Sequence, residues 1–170
     1  MSTVNQRASR NTFYEHLDGY MVGVTANGLE FYFDIADYEL VSKYTWYITH
    51  KGYVASRHPY LLLHRLLYGN CKDMQVDHRD GVKINNRRDN LRSATNTQNH
   101  YNKGKHTGNC SSQYKGVYYE SSRNKYVARI TVNGKTIGLG RFDSDRDAAV
   151  AYNNAAIKYH GEFARLNEVI

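Results

Sequence analysis

The sequence has 170 residues, 41% of them hydrophobic and only one of them proline, enough for one ordinary domain or two small ones. No stretch approaches the roughly 18 apolar residues of a membrane span, and the opening MSTVNQRASRNTFYEH has no apolar run to act as a secretory signal, so the expectation is a cytoplasmic protein with no membrane partner. Cys71 and Cys110 are too few for a disulfide framework and lack Cys-x-x-Cys spacing, which argues against structural zinc.

The net charge of +7 is unevenly spread: residues 1–56 and 143–170 each balance at −2, residues 57–103 at +5 and residues 104–142 at +6. Positive charge gathered in two adjacent segments is the pattern expected where phosphates are gripped, although charge alone does not separate DNA from RNA.

In chain order, YMVGVTANGLEFYFD sets Asn27-Gly28 between two β-prone runs and predicts a hairpin. IADYELVSKYTWYI then reads as a short helix or turn, and GYVAS as a strand. The run YLLLHRLLYG (60–69) is a buried strand or a short helix, which periodicity does not decide. QVDHRDGVKINNRRDNLRSATNTQNHYNK reads as strand, polar loop, short strand and helix, with Thr95 and Gln98 forming a capping box that starts the helix at Asn96. A polar, Gly/Ser-containing linker follows, over 104–111.

Beyond the linker, YKGVYYES, KYVARITVNG and KTIGLGRF predict three strands, the second turn at Asn133-Gly134. DSDRDAAVAYNNAAIKYHG predicts a helix capped by Ser144 and ended by Gly161. Its Ala148, Ala151, Tyr152, Ala155 and Tyr159 recur at helical spacing and form the expected packing face.

Chemistry concentrates between these parts. Asp77-His78 ends a predicted strand, Asn90 follows in the loop, and Asn99 lies on the short helix. A hairpin folded back on a helix would bring Asp77 and Asn99 together as hard oxygen ligands for Mg²⁺ or Mn²⁺. Neutral His78 is suited to take a proton from an attacking water.

The text LLLHRLLYG followed by VDHRDGVKINNRRDNLRSATNTQNHYNK resembles the HNH endonucleases with the ββα-metal motif, over about residues 60–103. The resemblance implies Asp77 and Asn99 as metal ligands, His78 as general base, Asn90 as the residue that pins the loop orienting His78, and His64 as a further site residue. Asn99 stands where the family name expects its final His. His100 lies next door, and spacing favours Asn99.

In KYVARITV, alternation sets Tyr126, Ala128 and Ile130 toward a helix and leaves Lys125, Val127, Arg129 and Thr131 on an outer face. With YKGVYY and GLGRFDSDRDAAVAYNNAAIKYHGEFARLN, this segment is similar to the Apetala/ethylene-response-factor class of DNA-binding domains. The resemblance implies a three-stranded sheet that reads DNA with a helix behind it. Lys115, Tyr118, Glu120, Arg129, Thr131 and Thr136 then fall on the reading strands, with Lys125 beside them. Tyr118, Arg129 and Thr131 replace residues of the plant pattern, so the plant target sequence does not transfer.

The resulting expectation is an α+β protein with an HNH nuclease module at 1–103 and a reader at 112–170. It resembles the homing endonucleases of phages and mobile elements, which implies a nickase acting on double-stranded DNA in the cytoplasm of the host cell. No small-molecule substrate is expected, and the protein would act as a monomer or weak dimer. Two other readings stay open: a non-enzymatic DNA-binding regulator with a decayed HNH centre, and an RNA-directed protein.

Overall fold

The computed structural model describes residues 11–69, 71, 73–105, 108 and 110–169. The fold is α+β and divides into two compact units, Met1–Ala94 and Thr95–Ile170. The predicted linker includes residues 106, 107 and 109, which lie outside the described residues.

The first unit begins with an antiparallel sheet of β1 (Thr12–His16), β2 (Tyr20–Val24) and β3 (Glu30–Phe33), in that order. Asn27-Gly28 lies in the β2–β3 turn, where the backbone N–H of Gly28 donates to the Thr25 carbonyl at 2.8 Å and Gly28 takes a φ of +81°, a left-handed geometry that glycine accepts without strain. A single 3₁₀ turn (Ile35–Asp37) and the short α1 (Tyr38–Val41) lead to a second sheet of β4 (Trp46–Ile48), β5 (Val54–Arg57) and β6 (Tyr60–Leu62).

The ambiguous run YLLLHRLLYG proves to be both kinds of element. Residues 60–62 are β6, and α2 (Leu63–Tyr68) starts at the next residue, burying Leu63, His64 and Leu67. Leu63 and Leu67 join Phe31, Phe33, Val41, Trp46, Val54 and Leu91 in one core. Each such buried apolar side chain contributes about 1.5–3 kcal/mol. Trp46 is buried without an unsatisfied group, because its indole N–H donates to the Val41 carbonyl at 2.9 Å and the Asn11 amide brackets its backbone at 2.6 and 2.9 Å. The unit closes with a hairpin of β7 (Gln75–His78) and β8 (Leu91–Ala94).

The second unit opens with α3 (Asn96–Asn102), held by the predicted capping box: Thr95 Oγ1 accepts from the Gln98 backbone at 3.2 Å, and the Gln98 side chain accepts from the Thr95 backbone at 2.9 Å. The units divide at Ala94/Thr95, so this helix packs with the second unit although its sequence belongs to the motif read at 60–103.

A sheet of β9 (Val117–Glu120), β10 (Lys125–Val132) and β11 (Lys135–Phe142) follows, with β10 central. A register shift between Ala128 and Arg129 leaves Leu139 as the extra residue of β11 and turns it into the core. Helix α4 (Asp145–His160) is capped by Ser144 Oγ, which accepts from the backbones of Arg146 and Asp147, and Gly161 ends it at φ +56°.

Tyr126, Ala128 and Ile130 face α4, which buries Ala148, Ala149, Tyr152, Ala155, Ala156 and His160. Tyr159, expected on that face, is 40% exposed, and the ring buried in the last turn is that of His160, whose Nε2 lies 2.9 Å from the Thr131 carbonyl. At Gly116 (φ +76°) a Cβ would lie 2.1 Å from the Tyr152 ring and 2.6 Å from the Arg129 carbonyl oxygen, so only glycine fits. Among the described residues no helix is long and apolar enough to cross a membrane.

Candidate active site and nucleic-acid interface

The β7–β8 hairpin places Asp77 opposite Arg92 and His78 opposite Leu91. Asp77 Oδ2 accepts from Arg92 Nε at 3.0 Å, with Arg92 Nη2 at 2.9 Å, and the two side chains are almost fully buried. A buried carboxylate requires such a partner, since removing either charge leaves the other uncompensated.

Residues 79–90 form a loop braced by its own polar groups. Asn90 Oδ1 accepts from the Asp80 backbone at 3.0 Å, and its Nδ2 donates to Asp80 Oδ1 at 2.9 Å and to the Asn85 carbonyl at 2.8 Å. The Arg79 backbone N–H donates to the Asn90 carbonyl at 2.8 Å. Asn90 therefore ties the start of the loop that follows His78 to its end.

Inside the loop lies Asn86, fully buried. Its Nδ2 donates to the Ile84 carbonyl at 3.0 Å, which turns Oδ1 toward His78 Nε2 at 3.3 Å. That orientation makes Nε2 the protonated nitrogen of a neutral imidazole, and the basic lone pair sits on Nδ1.

The N-terminal sheet holds the same loop from outside. The Tyr32 backbone pairs with Ile84 (2.8 Å) and Asn86 (2.7 Å), and Arg88 grips buried Asp37 at 2.9 and 2.6 Å. Tyr32 and Asp37 thus anchor the loop that carries the His78 partner.

His64, from α2, packs its ring 5.1 Å from that of His78 and 5.2 Å from that of Tyr53. Its Nδ1 is buried without a hydrogen-bond partner. Burial, the neighbouring His78 and Arg65 lower its pKa to about 3. Burial also lowers the His78 pKa; Asn86, Asp80 and Asp77 oppose the shift and Lys83 adds to it. Both imidazoles are thus held neutral, as a proton acceptor or a cation ligand must be. Among the described residues no three His, Cys, Asp or Glu side chains gather as a metal site, so a divalent cation would have to rest on few protein ligands, as Mg²⁺ does.

In the second unit, Asn99 lies in the middle of α3 and its backbone N–H donates to the Thr95 carbonyl at 2.9 Å. On the sheet face away from α4, Arg129 lies over the Tyr118 ring at 4.6 Å, and Thr131 and Thr136 are paired, their hydroxyls 3.3 Å apart. Glu120 sits in register with Lys125 and takes Arg141 at 2.7 Å, while Lys125 pairs with Asp143. Lys115 turns to α3, where its ammonium donates to the carbonyls of Tyr101 and Lys103, each at 2.5 Å.

Sequence reasoning missed Asn86, Arg92 and Arg141. Asn86 is one of two adjacent asparagines in a turn-like run and nothing local separates it from Asn85. Arg92 emerges as the Asp77 partner only once the hairpin register is drawn, and Arg141 only from its alignment with Val127 across the sheet.

The HNH endonuclease family profile matches residues 62–101, and the AP2 domain profile matches residues 112–162. An uncharacterized HNH endonuclease of Acanthamoeba polyphaga mimivirus is 39% identical over 137 residues, covering 76% of this chain and 70% of the relative. An AP2-like ethylene-responsive transcription factor of Arabidopsis thaliana is 42% identical over 60 residues, covering 35% of this chain and 12% of that protein. A dehydration-responsive element-binding protein of the same plant is 44% identical over 61 residues, covering 35% of this chain and 29% of that protein. No solved structure gives a significant match.

Proposed function

The chain belongs to the HNH endonuclease family, and from that premise we propose a metal-dependent DNA nickase of the homing-endonuclease kind, its sequence choice set by the AP2-type sheet. The observation that best supports this reading is the placement of His78: buried, with Nε2 facing Asn86 Oδ1 at 3.3 Å.

In this reading a water molecule attacks the scissile phosphorus in line with the leaving 3′-oxygen, and His78 Nδ1 takes its proton. Asn86 holds the ring in the required tautomer, and Asn90 keeps the loop from shifting it. His64 packs against the His78 ring and limits its motion. Arg92 orients the Asp77 carboxylate. We assign Asp77 and Asn99 as ligands of the divalent ion that HNH nucleases use, Mg²⁺ or Mn²⁺ here. When bound, that ion would polarise the phosphate and stabilise charge on the departing oxygen.

The functional nuclease module is then residues 1–103, with its motif core at 60–103. Residues 104–111 join it to the reader at 112–170. On the sheet, Tyr118, Arg129, Thr131 and Thr136 contact DNA, with Glu120 and Lys125 at the acid-paired end and Lys115 beside the backbone. Double-stranded DNA is the substrate, with no membrane or small-molecule partner. One centre cuts one strand, so a monomer or weak dimer nicks, in the cytoplasm of the host cell.

The test is conversion of supercoiled plasmid to nicked circles. Nicking with Mg²⁺ or Mn²⁺ that stops on chelation supports the reading. Tight duplex binding with no cleavage in either metal would mark a non-enzymatic regulator. Cleavage of RNA but not duplex DNA would reassign the substrate.

A further inference from the structure

We propose that the cleft between α3 and the β9/β10 edge of the second unit seats the sugar–phosphate backbone of a bound nucleic-acid strand, beside the reading face and sharing Arg129 and Thr131 with it. The proposal rests on the reading of this unit as a DNA binder and adds where the strand runs beside the sheet.

The cleft has a volume of about 830 Å³, and its wall includes Thr97, His100, Lys105, Lys115, Arg129 and Thr131. That volume lies within the range of ligand sites. Among the described residues no aspartate or glutamate lines it.

Its positive charge is also uncompensated. Among the described residues no carboxylate pairs with Lys105, Lys115 or Arg129, whereas Arg123, Lys125 and Arg141 at the other end of the sheet each meet Glu120 or Asp143. The cleft lysines are held by carbonyl oxygens: Lys105 donates to Val117 at 3.0 Å, and Lys115 donates to Tyr101 and Lys103. Carbonyls orient an ammonium without neutralising it. Burial and Arg165 lower the Lys115 pKa to about 8, so an anion in the cleft would favour the charged ammonium.

The rings in the wall are already engaged. Tyr101 stacks on His160 with centroids 3.7 Å apart, Tyr118 carries Arg129, and Tyr152 is buried. The cleft therefore offers fixed cations and hydroxyls more than stacking platforms, which matches phosphate and sugar better than bases.

Two variants of the full chain test this. Lys105→Ala removes one cation. Thr97→Glu adds an acid to the wall in the first turn of α3, where a negative charge favours the helix and the fold is retained. Anisotropy is read across a salt series on a duplex selected by the protein from a random pool and on a scrambled duplex. Both variants should lose affinity several-fold, equally on the two duplexes. The salt slope of Lys105→Ala should fall by about 0.9, and Lys105→Arg should restore it.

Wild-type affinity and slope in both correctly folded variants would overturn the proposal, as would a loss confined to the selected duplex, which would mean base reading. If the wild-type protein showed no salt-sensitive duplex affinity, the DNA-binding reading itself would fail. That outcome is distinct from a failure of the cleft alone.

Discussion

The two units carry their functional groups in opposite ways. In the first, Asp77, His78, His64, Asn86 and Asn90 are all buried, each fixed by core packing or a hydrogen-bond network. In the second, Arg129, Thr131 and Thr136 stand exposed on a sheet whose opposite face is packed on small residues. The contrast fits the tasks proposed for the two units. A proton acceptor needs one tautomer, one orientation and little competing water, whereas a recognition surface must meet a partner from outside and keep its donors accessible. Substitutions in the first unit should therefore act on rate and stability together, and those on the sheet face on affinity alone.

The largest expected effect is at His78. His78→Ala should cut the single-turnover nicking rate by ~10²–10⁴-fold while duplex affinity stays within a few fold, because a general base acts in the transition state. Retained nicking would remove His78 from the mechanism.

Asp77 ranks next and sharpens the comparison differently. Asp77→Ala leaves Arg92 buried with its charge uncompensated and should lower unfolding free energy by about 3–5 kcal/mol in a denaturant titration, besides abolishing nicking. An unchanged midpoint would show that the Arg92 pair is not a supporting element.

Asn86→Ala should cost less, about 1–3 kcal/mol for the His78 Nε2–H and Ile84 carbonyl left without their partner, with slower nicking because the His78 tautomer is no longer fixed. A stability loss with full nicking activity would limit Asn86 to a structural role.

Acid should act on the first unit through two histidines, whereas the second holds one of lowered pKa, His160. The folded pKa of His64 is lowered, to about 3, and that of His78 is lowered as well. Their contribution to stability is complete above the unfolded value near 6.5. As pH falls below it, the unfolded chain binds protons that the folded first unit does not, and stability drops by up to about 1.4 kcal/mol per pH unit for each group. The His64→Phe variant should show a flatter dependence between about pH 6.5 and 5. The same slope as wild type would contradict the assignment.

How much of this was legible in the sequence also differs between the units. The reader could be read almost residue by residue: period-2 alternation set Tyr126, Ala128 and Ile130 inward, Asn133-Gly134 marked the turn, and Ser144 and Gly161 bounded the helix. Even there, Tyr159 falls outside the buried face, because 3.6-residue spacing does not say which ring of the last turn, Tyr159 or His160, is buried. In the first unit, Asp77, His78 and Asn90 stood out by order and spacing. Their supports did not. The contacts from Tyr32 to Asn86 and from Asp37 to Arg88 join positions about fifty residues apart, and no local pattern carries them. The run 60–69 was ambiguous because it changes from strand to helix within one apolar stretch.

The smallest expected effects lie on the sheet. If Arg129 reads a base, Arg129→Ala should weaken binding to a preferred duplex by about 1–3 kcal/mol and relax sequence choice there. If it grips phosphate, affinity should fall evenly and the salt slope by about one unit. Unchanged binding to both duplexes would mean that the wrong face of the sheet has been assigned. Lys125→Ala, which breaks only the exposed pair with Asp143, should change stability by no more than about 1 kcal/mol.

The central claim, that chemistry belongs to the buried His78 network and recognition to the exposed sheet, is tested most directly by one measurement: the single-turnover nicking rate at saturating protein for His78→Ala beside Arg129→Ala. The account predicts a rate near background for the first and near wild type for the second. Equal losses of the chemical step in both variants would contradict it.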